Sequence, residues 1–179
     1  GLVTDIEFFE DFPSHYEVAV VRQDRWARGD WQLLPWIIGR SPDTSRAPIH
    51  ASIPLIGRWK MLDNLRRTLF APAAFVMLIA GWTLPFASPL IWTMFVFSCI
   101  AIPPFLHVFF AAIPHRRGIS KRSHVRAVGT DLVLAASQVG LTVTLLADQA
   151  WLMTDAIVRT LSRVYVTRRN LLEWVTAAQ

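Results

Sequence analysis

Hydrophobic and polar positions are unevenly distributed along this chain. From Thr68 to His115 there is no Asp, Glu, Lys or Arg. An apolar segment of about 18 residues already suffices for a membrane-spanning helix, and this one has room for two. Because Pro85 and Pro89 interrupt it, the pattern predicts a transmembrane helical hairpin of residues 69–84 and 90–113. The alternative is a hairpin buried in the core of a soluble protein. A chain this short has few other residues that could shield such a hairpin from water.

Two further segments follow the predicted hairpin. Residues 132–147 form a shorter apolar stretch bounded by Asp131 and Asp148. At this length it is compatible either with a third span or with a helix buried against protein. The last segment has apolar residues at 3- and 4-residue steps, and Asp155, Arg159 and Arg163 are spaced four apart. We therefore expect an amphipathic helix there, with a break at "TRRN".

The first part of the chain is polar and aromatic. "YEVAVV" (residues 16–21) has strand-favouring residues and predicts a short β-strand. "RWARGDWQLLPWIIG" predicts a helix at the membrane interface, and "RSPDTSRAP" a polar loop. "RWKMLDNLRRTLFAP" predicts an amphipathic segment leading into the first span.

Composition and charge agree with a membrane protein. Hydrophobic residues make up 53% of the 179 residues and charged residues 17%, which is apolar-rich for a soluble domain. Basic residues lie on both flanks of the predicted hairpin and not in its turn, so the positive-inside rule places both flanks in the cytoplasm. The net charge of +5 favours anionic lipid headgroups as partners. Because the basic residues lie beside the spans and no nucleic-acid-binding motif is present, we expect no nucleic-acid partner. The five histidines are scattered, which excludes an obvious metal site.

The stretch "VRQDRWARGDWQLLPW" (residues 21–36) carries the candidate chemistry. Arg22, Arg25 and Trp26 are spaced so that one helical turn presents all three. Guanidinium groups hold phosphate oxygens in a planar fork, and indole faces stack on apolar faces or cations. A site for a nucleotide diphosphate and a sugar chain would use this mixture. The alternative is an interfacial belt in which Arg and Trp only anchor the chain at the lipid surface.

"RQDRW" (residues 22–26) resembles the (Q/R)xxRW signature of processive membrane glycosyltransferases, which include cellulose, chitin and hyaluronan synthases. The amino-acid sequences of residues 1–36 and of the closing segment "TRRNLLEWVTAAQ" resemble those of the cyclic β-1,2-glucan synthases of bacterial inner membranes. This resemblance implies that Arg22 and Arg25 contact the pyrophosphate or the acceptor end, and that Trp26 contacts the acceptor glucan. Asp30 and Trp31, in "RGDWQ", match the local sequence of the family, and the resemblance implies that they lie near the acceptor.

The resemblance also implies a reaction and its components. It implies an inverting transfer of glucose from UDP-glucose to a growing (cyclic) β-1,2-glucan, with Mg²⁺ or Mn²⁺ acting in the whole enzyme. The metal ligands and the catalytic base are expected before Gly1. Glu10 and Asp11 are closer to Arg22 in sequence than the catalytic base is expected to be. The preferred interpretation of both residues is therefore a polar turn or a helix cap. The chain is thus expected to be a piece of a longer, multi-pass inner-membrane polypeptide, inactive without the remainder of its parent.

These inferences combine into one predicted architecture. The chain is expected to be mainly α-helical and membrane-bound. Residues 1–48 form the C-terminal edge of a glycosyltransferase A-type α/β domain, and residues 49–67 an interfacial amphipathic lead-in. Residues 68–115 form the transmembrane hairpin. Residues 116–179 form a basic cytoplasmic loop, a possible third membrane or buried helix, and an amphipathic helix.

Overall fold

The computed structural model of the chain describes residues 15–38, 53–86, 88–113 and 120–169. Within these ranges the chain is almost entirely helical, and none of these residues lies in a strand. The helices are α1 (Tyr16–Gln32), α2 (Leu34–Ile37), α3 (Leu55–Thr83), α4 (Pro89–Ala112), α5 (Lys121–Thr144) and α6 (Leu146–Ser162), followed by a π-helical turn, Arg163–Thr167. The predicted mainly α-helical, membrane-type fold is therefore confirmed.

The strand predicted for residues 16–21 is wrong, because these residues form the first turns of α1. Local preference of valine and tyrosine for strands is weak, and the surrounding structure overrides it. The predicted edge of an α/β domain accordingly has no strand in the described ranges, and residues 1–14 lie outside them. The predicted polar loop, residues 40–48, also lies outside the described residues.

The chain divides into two compact units. One comprises the residues up to Leu65 together with those from Asp155 onward, and the other comprises Arg66–Thr154. In the second unit, Ala74 of α3, Val96 and Ile100 of α4 and Leu146 of α6 form a buried apolar cluster. The cluster packs α3, α4 and α6 through van der Waals contacts of apolar side chains, a kind of packing that also operates in a membrane.

One hydrogen bond links the two helices of the hairpin near its turn. The indole Nε1 of Trp82 donates to Oγ1 of Thr93 at 3.0 Å. The Thr93 hydroxyl in turn donates to the carbonyl oxygen of Pro89 at 2.7 Å. Pro89 opens α4, where a missing N–H costs nothing because the first N–H groups of a helix have no intrahelical acceptor. The hairpin predicted for residues 69–84 and 90–113 is thus present, with its turn between Thr83 and Pro89.

Three helices are long and apolar enough to cross a membrane, namely α3, α4 and α5. Helix α5 contains most of the third apolar stretch that the sequence left undecided, and it begins earlier, at Lys121, where the side chain of Ser120 caps its N-terminus. Its polar residues fit a lipid environment. Four hydroxyl groups bond to the carbonyl four residues earlier, at 2.8 to 3.1 Å: Thr130, Ser137, Thr142 and Thr144.

The break predicted at "TRRN" is confirmed. The π-helical turn ends at Thr167, and Arg168 adopts a left-handed backbone with a φ of 50°. Its N–H donates to the carbonyl oxygen of Arg163 at 2.8 Å. A residue in this conformation terminates a helix, as at many C-terminal caps. The charged pair on α6 is also present, since Arg159 donates to Asp155 at 2.6 Å.

Gly81 of α3 lies directly against Trp92 of α4. A Cβ atom at this position would lie 2.4 Å from the Cβ and 2.7 Å from the Cγ of Trp92. Those atoms are at the base of the indole and cannot swing away. We therefore expect Gly81→Ala to lower the free energy of unfolding by about 1–3 kcal/mol through overpacking, measured by thermal unfolding in detergent micelles. Gly140→Ala is the matched control, because no atom lies within 4 Å of its added Cβ. Equal stability of the two variants would contradict the close packing.

Candidate functional site on helix α1

Helix α1 places three of the five predicted site residues on one outward face. Because an α-helix turns about 100° per residue, Arg22, Arg25 and Trp26 fall within one narrow sector of its surface. Trp26 is 58% exposed, and both arginines are half-buried. Val18 and Val21, on the same side, are exposed as well. The predicted presentation of two guanidinium groups and one indole from a single helical turn is thus compatible with the structure.

Arg22 and Trp26 are in direct contact. The guanidinium carbon of Arg22 lies 4.8 Å from the centroid of the Trp26 ring, within the range of a cation–π interaction. The two residues are four apart, so successive turns of α1 bring them together. This contact places a cation against an aromatic face, and the Trp26 residue stays exposed.

The opposite face of α1 is packed against protein. Ala27 is 1% and Trp31 8% exposed, and Trp31 forms a buried cluster with Leu65 of α3 and Ile157 of α6. The cluster is extended by three partly buried side chains: Leu34, Ile37 and Leu161. Trp31 therefore has a packing role in the structure, and its predicted contact with the acceptor glucan remains a prediction.

Asp30 connects α1 to the beginning of α3. Its Oδ1 accepts a hydrogen bond from Nδ2 of Asn64 at 3.1 Å. Next to the Trp31 cluster, this bond fixes the rotation of α1 and so determines which face is outward. Sequence reasoning missed Asn64, because the two residues are 34 positions apart and no local pattern links them. A role for Asp30 near the acceptor also remains a prediction.

Arg28 differs from the other two arginines of the stretch. Its Nη1 lies 3.4 Å from Oδ2 of Asp24, one turn earlier, so its charge is balanced within the helix. The sequence spacing of Arg22, Arg25 and Arg28 made them look equivalent. In the structure the guanidinium group of Arg22 lies against an indole, and that of Arg28 lies beside a carboxylate of its own helix.

The described residues offer no metal site. In these ranges no three His, Cys, Asp or Glu side chains are grouped so that they could hold an ion. Asp24 and Asp30, the carboxylates nearest to the arginines in sequence, already bond to Arg28 and Asn64. The involvement of Mg²⁺ or Mn²⁺ and the location of its ligands stay predictions of the resemblance.

A shallow apolar cavity of about 460 Å³ lies on α4, lined by Ile102, Phe105, Leu106, Val108 and Phe109. It carries no group that would bind a phosphate or a sugar hydroxyl, so it is no candidate for the nucleotide or the glucan. Its chemistry matches the hydrocarbon of a bilayer, in agreement with α4 as a span.

The chain was compared with known proteins. It is 44% identical, over 180 aligned residues that include all of this chain, to cyclic beta-(1,2)-glucan synthase NdvB of Rhizobium meliloti (strain 1021). The chain spans about 6% of the length of that protein. No family model matches the chain. The similarity to NdvB confirms the resemblance to cyclic β-1,2-glucan synthases.

The two faces of α1 should respond differently to removal of a tryptophan. We expect Trp31→Ala to lower the free energy of unfolding by about 3–5 kcal/mol, because a buried aromatic side chain leaves a cavity. Trp26→Ala should cost about 1 kcal/mol or less, since only an exposed cation–π contact is lost. Denaturant unfolding in micelles, followed by far-UV circular dichroism, measures both. Equal losses would contradict the assignment of the faces.

Proposed function

We propose that this chain is a segment of a bacterial cyclic β-1,2-glucan synthase, and that the outward face of α1 contributes to its glycosyltransferase site. The 44% identity to NdvB over the whole chain carries the proposal. The arrangement of Arg22, Arg25 and Trp26 supports it, because the residues of the (Q/R)xxRW signature lie within one turn of α1, on the side away from its buried cluster.

In the proposed reaction, glucose passes from UDP-glucose to the 2-hydroxyl of the growing glucan. The hydroxyl oxygen attacks the anomeric carbon, and a carboxylate base outside the described residues accepts its proton. The bond from the anomeric carbon to the UDP oxygen breaks, and UDP leaves with the bonding electron pair. Attack opposite to the leaving group inverts the anomeric configuration. Mg²⁺ or Mn²⁺, when bound in the whole enzyme, would offset charge on the diphosphate.

Each residue of the outward face has a distinct proposed role. The half-buried guanidinium groups of Arg22 and Arg25 stabilise the negative charge that develops on the leaving diphosphate or orient the acceptor end. The exposed part of the Trp26 indole stacks on a glucose ring of the acceptor. The guanidinium carbon of Arg22 lies 4.8 Å from the centroid of the Trp26 ring, so a cation stays next to the sugar-binding surface.

We further propose that the chain resides in the bacterial inner membrane, with both flanks of the hairpin in the cytoplasm. Three helices of sufficient length and apolarity support membrane insertion. The excess of Lys and Arg on both sides of the α3–α4 hairpin supports the orientation. This side of the membrane is also where a nucleotide sugar would reach the enzyme.

A second candidate is a membrane anchor in which the same face only lies on the lipid surface. The exposed Val18, Val21 and Trp26 beside the arginines favour it, because such a mixture suits the headgroup region. An anchor needs charge and apolar area, whereas a diphosphate site needs the planar fork of arginine. Lysine substitutions therefore distinguish the two functions.

In the full-length synthase that contains this segment, Arg25→Lys is expected to lower the rate of glucan synthesis from radiolabelled UDP-glucose by about 100-fold. A rate loss of this order is typical when one hydrogen-bond donor that stabilises charge in the transition state is removed. Arg22→Lys should act in the same direction. Carbonate extraction should show undiminished membrane insertion for both variants.

Arg28→Lys is the matched control, because Arg28 pairs with Asp24 and not with the outward face. It should retain glucan synthesis within about twofold, because lysine preserves the charge of this i,i+4 pair within one helix. If Arg22→Lys and Arg25→Lys were as active as this control, the glycosyltransferase role would be refuted and the anchor supported.

A further inference from the structure

Helix α1 contains a glycine that packing does not explain. Glycine is less favourable than alanine in a helix interior, so a helical glycine needs a compensating reason. At Gly81 the reason is the adjacent Trp92, whose Cβ would lie 2.4 Å from an added Cβ. At Gly29, in the interior of α1, no heavy atom of the described residues outside the adjoining helix backbone lies within 4 Å of the position that a Cβ would occupy.

The location of Gly29 distinguishes it from the other open glycines. Gly129 and Gly140 also have no neighbouring atom, but both belong to α5, a candidate span. Gly29 follows Trp26, Arg25 and Arg22 by three, four and seven residues. These are the spacings that put residues on one helix face, so Gly29 continues the outward face by one turn.

A side chain at position 29 would affect its neighbours on this face. The Cα–Cβ bonds of an α-helix tilt toward the N-terminus, so each side chain covers the turn that precedes its own Cα. A side chain at position 29 would consequently lean over the turn that holds Arg25 and Trp26. Its absence leaves the helix backbone accessible beside the exposed indole.

We infer that Gly29 is a specificity-determining residue of the sugar site: it leaves space for the pyranose ring that stacks on Trp26 to rest against the backbone of α1. The ligand class is a β-linked glucose chain, whose flat ring faces suit an indole. The inference rests on the function proposed above and adds to it a residue outside the (Q/R)xxRW signature.

The test uses the full-length synthase purified in detergent, with Gly29→Ala, Gly29→Leu and the control Gly140→Ala. Binding of a linear β-1,2-linked gluco-oligosaccharide is measured by isothermal titration calorimetry, and stability by thermal unfolding. We expect Gly29→Ala to weaken oligosaccharide binding about tenfold and Gly29→Leu by about 100-fold, because a displaced ring loses its stacking position. Neither variant should unfold at a lower temperature, since both residues are better helix formers than glycine. Gly140→Ala should bind with unchanged affinity.

The outcomes separate this inference from the proposed function. If Gly29→Leu bound the oligosaccharide as tightly as the unmodified enzyme while Trp26→Ala bound it weakly, the role of Gly29 would be overturned and the sugar site would stand. If Trp26→Ala also left the affinity unchanged, the proposed sugar site itself would be refuted. Loss of affinity accompanied by a lower unfolding temperature in both Gly29 variants would indicate a packing role and overturn the inference.

Discussion

The structure depends on one constraint: in an apolar environment, every backbone N–H and C=O group needs a partner within the protein. Between Thr68 and His115 the chain has no charged residue, and most of it lies in α3 and α4, where helical hydrogen bonds meet this requirement except at Pro72, Pro103 and Pro104, which have no N–H to donate. The hydroxyl groups of α5 follow the same rule, since each bonds to a carbonyl of its own helix. Polar residues that look unfavourable for a span are thereby accommodated without any neighbouring helix.

Helix α1 differs from the candidate spans, because one of its faces packs in a buried cluster and the other carries exposed residues. Trp31 faces a buried cluster and Trp26, five residues earlier, faces outward. Five residues rotate a helix by about 140° beyond a full turn, so the spacing places two identical side chains in different environments, one buried and one exposed. The hydrogen bond between Asp30 and Asn64 fixes the rotation of the helix and thus keeps the arginines of the signature outward.

The features that follow from local pattern could be predicted from the sequence. The hairpin was predictable because a charge-free run of this length is long enough for two membrane-spanning helices. The break at Arg168 was predictable because "TRRN" interrupts the helical spacing of apolar residues. The strand at residues 16–21 was mispredicted, because its valines continue the helical face that includes Arg22 and Trp26. The lead-in and the first span were predicted as separate elements and form the single helix Leu55–Thr83. Contacts between distant residues, such as Asp30 with Asn64 and Trp31 with Ile157, had no signal in the sequence.

The stacking of Arg22 on Trp26 has an entropic consequence for recognition. Immobilising a flexible side chain on binding costs about 0.5–1.5 kcal/mol. An indole already held by a neighbouring guanidinium has given up part of its rotamer freedom during folding, so a ligand that covers it orders less. Arg22 thus preorganises the exposed indole of Trp26 for any ligand that stacks on it.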